Sequence, residues 1–282
     1  MNGILARLGL MIAVIALTLT PATASEDEPA HRKEIRGILW QVDDATVGIS
    51  GGWHKLGANE LLVQWSVIDD VAYIPGTGLK QPPRMPNWDR IAKQPWAQNV
   101  IMGLASMVQE PEARKNVEQL IELSSRVARL EMPVNVTGWY FPVEADPTWM
   151  DVAKYGRLLA KLPRPLWISV YDNSNIGAQP FADWLKTWVP NDVGIFFQDG
   201  VGIHSRDARG ARIYADTLVR NLGADRVKVI AEAFRPDAGA GFRPATAAEL
   251  ATQLDALKGL DVYIFDGPHH VNDTIIQTLI ER

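Results

Sequence analysis

Along this chain, short apolar runs alternate with stretches of helical periodicity, and polar, turn-forming residues separate the two. Eight runs read as strands: residues 35–42, 60–67, 100–105, a stretch opening at Val136, 166–171, 193–198, 227–233 and 261–265. The fourth is β-branched and aromatic up to Phe141, and Pro142 is expected to break it. Helices are predicted between the strands. The one near residues 53–56 is short and weak, and Asn87 caps another that begins Trp88-Asp89-Arg90. The clearest spans 111–130, with Pro111 at its start and Val117, Leu120, Ile121, Val127 and Leu130 along one face. Further helices are predicted over 151–162, 181–189, 207–222 and 272–281, and Thr246 and Glu249 form a capping box for a helix with Leu250, Leu254 and Leu257 on one face.

Eight strands alternating with eight helices predict an α/β fold with a parallel sheet, closed into a single-domain (β/α)8 TIM barrel over residues 35–282. A doubly wound open sheet is the alternative. It would need a phosphate-binding glycine loop after the first strand, and neither GxGxxG nor GxxxxGK[ST] occurs. The long connection over 69–86, with Gly76, Gly78 and the Pro82-Pro83 pair, is expected to wall a binding cleft.

The N-terminus departs from this pattern. Arg7, an apolar run over 8–19 and Pro21-Ala22-Thr23-Ala24 make residues 1–24 a signal peptide with cleavage near Ala24. Residues 25–34 are then a disordered or extended lead-in, and the expected location is periplasmic or extracellular. The absence of cysteine excludes a lipid-modified anchor and disulfides. A formal net charge of −5 without a basic cluster argues against nucleic acid, and against an anionic membrane after signal cleavage. A monomer is expected, and about 250 residues suit one barrel.

Barrel active sites lie where strands end. The predicted strand ends carry Gln41, Asp43 and Asp44, then Gln64 and Trp65, Glu144 and Asp146, Asp172 and Asn173, Gln198 and Asp199, Glu232, and Asp266 with His269. Ten tryptophans, among them Trp139 and Trp149 flanking the fourth strand end, add stacking surface to this acidic, amide-rich face. Glycoside hydrolysis needs two carboxyl groups across the scissile bond, amides for hydroxyls and aromatics for sugar faces. Glu144 and Glu232 are the candidate catalytic pair. Gln41, Gln64, Trp65, Trp139, Asp146, Asn173, Gln198, Asp199 and Asp266 are the candidate substrate-binding residues.

Each has a structural alternative. Glu144 could cap the next helix, Glu232 could pair with Arg235, and Trp139 or Trp65 could fill core. Asp199 and Asp266 sit in turn-forming sequence. No metal or other cofactor is predicted: HExxH is absent, and adjacent His269 and His270 would point apart on a strand. No GxSxG supports a serine hydrolase.

Glutamates after strands four and seven resemble the large clan of retaining glycosidases built on this barrel. The phrases QWS at 64–66, GWYFPVEAD at 138–146, FQDGVG at 197–202 and AEAFRP at 231–236 are similar, more narrowly, to a secreted bacterial family of glycosidase-like TIM barrels of unknown function. The resemblance covers nearly all of the mature chain. It implies Glu144 as acid/base, Glu232 as nucleophile, and carboxyl groups about 5–5.5 Å apart. One departure stands out: Val143 occupies the place where the clan has the Asn that holds the sugar 2-hydroxyl. Gln198, Asn173 or Gln64 would have to take that role. A sugar-binding barrel without catalysis is therefore the competing expectation, with a lyase or deacetylase a more distant third.

Overall fold

The computed structural model describes residues 35–239 and 241–282; the predicted signal peptide and lead-in lie outside them. Eight parallel strands close into a barrel: β1 (Gly37–Trp40), β2 (Glu60–Val63), β3 (Asn99–Gly103), β4 (Val136–Ala145), β5 (Leu166–Val170), β6 (Val193–Gln198), β7 (Val227–Glu232) and β8 (Val262–Phe265). Gly37 pairs with Glu60 on one side and Tyr263 on the other, so the first strand joins the second and the last. This is the predicted single-domain (β/α)8 barrel.

The continuous apolar runs follow from two burials. Leu39, Leu62, Ile101, Tyr140, Phe196, Ile230 and Tyr263 point into the barrel and fill it. Their strand neighbours, such as Ile38, Leu61, Val100, Phe141 and Val229, pack outward against the helices. Each fully buried side chain of this kind contributes roughly 1.5–3 kcal/mol relative to exposure. The N-terminal end of the barrel is sealed by polar groups. Glu60 accepts from Tyr263 Oη and pairs with Arg36. Lys228 Nζ donates to Tyr263 Oη at 3.1 Å and lies 4.9 Å from the Trp167 ring centre.

The capping box forms as predicted: the Thr246 side chain accepts from Glu249 N, and the Glu249 side chain accepts from Thr246 N. Asn87 caps its helix through Arg90 N at 3.0 Å. Three expectations need correction. β4 does not break at Pro142 but runs on to Ala145; with no N–H at Pro142, its pairing with β5 shifts register between Phe141 and Ala145. The helix over 111–130 is two helices, Glu110–Lys115 and Val117–Val127, parted at Asn116 (φ −101°, ψ 20°), whose Nδ2 donates to the Glu112 carbonyl at 2.8 Å. The 69–86 connection does not wall the cavity at the barrel mouth, which none of its residues lines; it begins in a small three-stranded sheet where Val67–Ile68 pairs with Val71–Ala72 and with Ala105–Ser106. After β7, Phe234–Pro236 and Phe242–Pro244 form a hairpin.

Candidate active site

At the C-terminal end of the barrel a cavity of about 380 Å³ opens. Side-chain alternation decides what β4 contributes. Tyr140, Pro142 and Glu144 share the inward parity and all line the cavity. Trp139 has the opposite parity and packs on the outer layer, so the predicted platform role finds no support in its position. Val143 also points outward and is buried; its carbonyl accepts from Tyr155 Oη at 2.9 Å.

Glu144 Oε1 accepts from Gln198 Nε2 at 2.7 Å, and the same nitrogen donates to Ser169 Oγ at 2.8 Å. Burial first, and then the negative charge of Glu110, push the Glu144 carboxyl up to about 7. It nevertheless keeps part of its side chain accessible at the cavity wall.

Glu232 comes from the end of β7 and lines the same cavity, yet only 4 % of it is exposed. Its Oε2 sits in a backbone cradle, accepting from Gly202 N at 2.8 Å and Ile203 N at 3.3 Å. The phrase FQDGVG builds this cradle. Gly200 takes a left-handed conformation (φ +67°), and Gly202 has no side chain to collide with the glutamate. Asp199 lies fully buried behind them. Its Oδ1 accepts from Glu232 N and Val201 N, and its Oδ2 from Gln253 Nε2 at 2.5 Å. Burial and the Asp199 charge raise the Glu232 carboxyl above the usual range, and the two backbone N–H groups oppose that rise. Arg235 does not pair with the Glu232 carboxylate; it donates to the Glu232 carbonyl at 3.0 Å and to Gln253 Oε1 at 2.8 Å.

The structure thus brings Glu144, Glu232, Gln41, Gln64, Trp65, Asn173 and Gln198 to one cavity. Three predicted contacts are instead engaged by the protein. Asp146 is held by Arg114 Nη2 at 2.8 Å and by Thr148 N at 2.6 Å. Asp199 supports Glu232. Asp266 accepts from Gln41 N at 2.8 Å and from His269 Nδ1 at 2.9 Å, while His269 Nε2 reaches Asp43 Oδ2 at 3.1 Å. Held first by Asp266, the imidazole is pushed up to about 9. Asp172 is buried, with Oδ2 accepting from Tyr214 Oη at 2.8 Å.

Several lining residues were not anticipated: Glu110, Tyr171, Tyr140, Phe234 and Phe265. Tyr171 Oη donates to Glu110 Oε1 at 2.6 Å, and Arg114 pairs with both Glu110 and Asp146. Arg114 Nε also donates to the Glu144 carbonyl at 3.0 Å, which ties this wall to β4. The alternation within β4, counted back from Glu144, was the signal that could have marked Tyr140; nothing local marked Glu110, which reads as an ordinary acidic first turn of a helix. Among the described residues, no group of three or more His, Asp or Glu side chains could hold a metal ion, and no helix is long and apolar enough to cross a membrane.

No protein-family model matches the chain, and no curated protein does. Solved structures do. A candidate alpha-L-fucosidase from Bacteroides thetaiotaomicron superimposes with a TM-score of 0.57 at 15% identity, over 92% of this chain and 97% of that one. The PgaB (BpsB) glycoside hydrolase domain from Bordetella bronchiseptica gives 0.47 at 13% identity, over 87% and 98%. A chitinase from Chromobacterium violaceum gives 0.45 at 12% identity, also over 87% and 98%. The first match bears on the fold: this barrel has the architecture of a structure described as a glycosidase.

Proposed function

We propose that the chain is a glycoside hydrolase that cleaves a polysaccharide or oligosaccharide outside the cytoplasm by a retaining, two-glutamate mechanism. The observation that carries this reading is that Glu144 and Glu232, from the ends of β4 and β7, line one cavity whose other walls are amides and aromatic rings. Glu144, pushed up to about 7, can hold a proton near neutrality and give it to the leaving glycosidic oxygen. Glu232, once ionised in its N–H cradle, attacks the anomeric carbon and forms a glycosyl ester. Glu144, now a carboxylate, then takes a proton from water, which breaks that ester and restores both groups. Gln198, bonded to Glu144 and lining the cavity, is the amide that can serve where Val143 cannot.

Glu144→Gln and Glu232→Gln test this on a polysaccharide panel read by reducing-end release. Each should lower kcat by at least about 10²–10⁴-fold while the thermal melt stays cooperative. Near-full activity in either variant would remove the assignment. The second reading, a sugar-binding barrel without catalysis, draws on the burial of Glu232 and the commitment of its Oε2 to backbone donors. Saturable binding without release of reducing ends from any substrate would select it.

A further inference from the structure

Among the described residues, three carboxyl groups, those of Glu110, Glu144 and Glu232, line the cavity, and no lysine, arginine or histidine does. Cleavage uses two carboxyl groups, so Glu110 has no step in the reaction. The cation nearest to it, Arg114, is divided between Glu110 and Asp146, and its Nε is spent on the Glu144 carbonyl. Its guanidinium is flanked by the Trp149 and Tyr171 rings, 5.2 and 5.9 Å from their centres. One positive charge therefore faces two carboxylates, and the wall keeps a negative excess. Both the Tyr171 and the Arg114 contacts use Glu110 Oε1; none of the described residues bonds its Oε2. At the end of β2, on the same cavity, Gln64 Oε1 is a buried acceptor with no donor among the described residues, and buried acceptors are normally paired.

On the glycosidase reading, we infer that the sugar held in this cavity carries a free, protonated amine, and that Glu110 receives the ammonium group. An ammonium group brings three donors and no acceptor, which suits a wall rich in acceptors. The Trp65 indole lines the same cavity, and a cation is favoured over an indole face. A neutral hydroxyl would supply a donor but leave the negative excess at Glu110, whose side chain is 33 % exposed, uncompensated. Acylation of the amine would remove the charge and add bulk at the same wall.

The test is calorimetric binding of the mature chain to three oligosaccharides of equal length: a glucosamine oligomer with free amines, its N-acetylated form and a neutral glucose oligomer. The amine form should bind about tenfold more tightly than either of the others, as expected for a charge-assisted contact. Added salt should erode that advantage. In Glu110→Gln the ratio should fall to about one, and in Glu110→Asp, which keeps the charge, part of it should return. Equal binding of all three, no binding of the amine form, or a preference that survives Glu110→Gln in a folded variant would each overturn the inference. Reducing-end release from the same oligomers reports separately on hydrolysis. An amine preference without release removes the glycosidase reading and leaves the amine site standing; release from neutral or acetylated oligomers without an amine preference does the reverse.

Discussion

Replacing Gly202 by alanine is the sharpest perturbation of the cradle. A Cβ at this position would lie 2.5 Å from Glu232 Cβ and 2.9 Å from both Glu232 Oε2 and Phe234 Cε2. Carbon atoms in contact sit at about 3.5–4.0 Å, so the glutamate or its loop has to retreat by roughly 1 Å. Overpacking of this kind costs about 1–3 kcal/mol. At about 2–4 °C per kcal/mol for a domain of this size, the melting temperature should fall by about 2–12 °C. On the proposed mechanism the larger effect is on chemistry. The Gly202 N–H bond to Oε2, 2.8 Å long, is lost or bent, and a 1 Å misplacement of a reacting group can cost ~10²-fold in rate. Steady-state kinetics of Gly202→Ala beside Gly48→Ala, where an added Cβ meets nothing within 4 Å, separates the local effect from a general one. If Gly202→Ala turns over within about twofold of the parent while Gly48→Ala does the same, the backbone cradle does not position a catalytic group.

Two further outcomes depend on pH. With Glu144 as the acid near 7, the rate should fall as pH rises through that value; Glu110→Gln removes the anion that helps hold the proton and should move this limb to lower pH, whereas Gln198→Leu removes a donor to the carboxylate and should move it higher. A limb that stays put in both variants would mean another group titrates. His269, raised by Asp266 and Asp43 to about 9, adds stability that is complete below its unfolded value of about 6.5 and disappears as pH rises through about 9. The half-exposed site is screened, so the contribution is about 1 kcal/mol; the melting difference between the parent and His269→Gln should shrink from pH 6 to pH 9.5, and a constant difference would show that the imidazole acts by packing alone.

How much of this could be read from the sequence differs from element to element. The eight barrel strands were legible because burial on both faces leaves almost no polar residue inside a run, as in Val193–Gln198. The split at Asn116 was not, because the apolar stripe from Val117 onward is continuous and one Asn hardly weakens a helical pattern. Strand ends placed Glu144 and Glu232 at the mouth, where both line the cavity, since position along a barrel strand fixes which residues reach it. Trp139 shows the limit of that rule: it is five residues from Glu144, an odd interval, so it must face the other way. Asp146, Asp199 and Asp266 lie close to the right place but were already committed to Arg114, Gln253 and His269, partners 32, 54 and 3 residues away. Glu110 and Arg114 reach the site through a six-residue helix in a connection, where no periodicity applies.

The sealed floor of the barrel has a consequence for traffic. With Phe196, Ile230 and Tyr263 filling the bore, and Glu60, Arg36 and Lys228 closing its lower end, nothing can pass through the molecule. Whatever comes in has to go out by the same door. On the proposed activity, a long polymer must therefore lie across the mouth or present an end to it, and a fragment left inside would obstruct the next visitor until it departs.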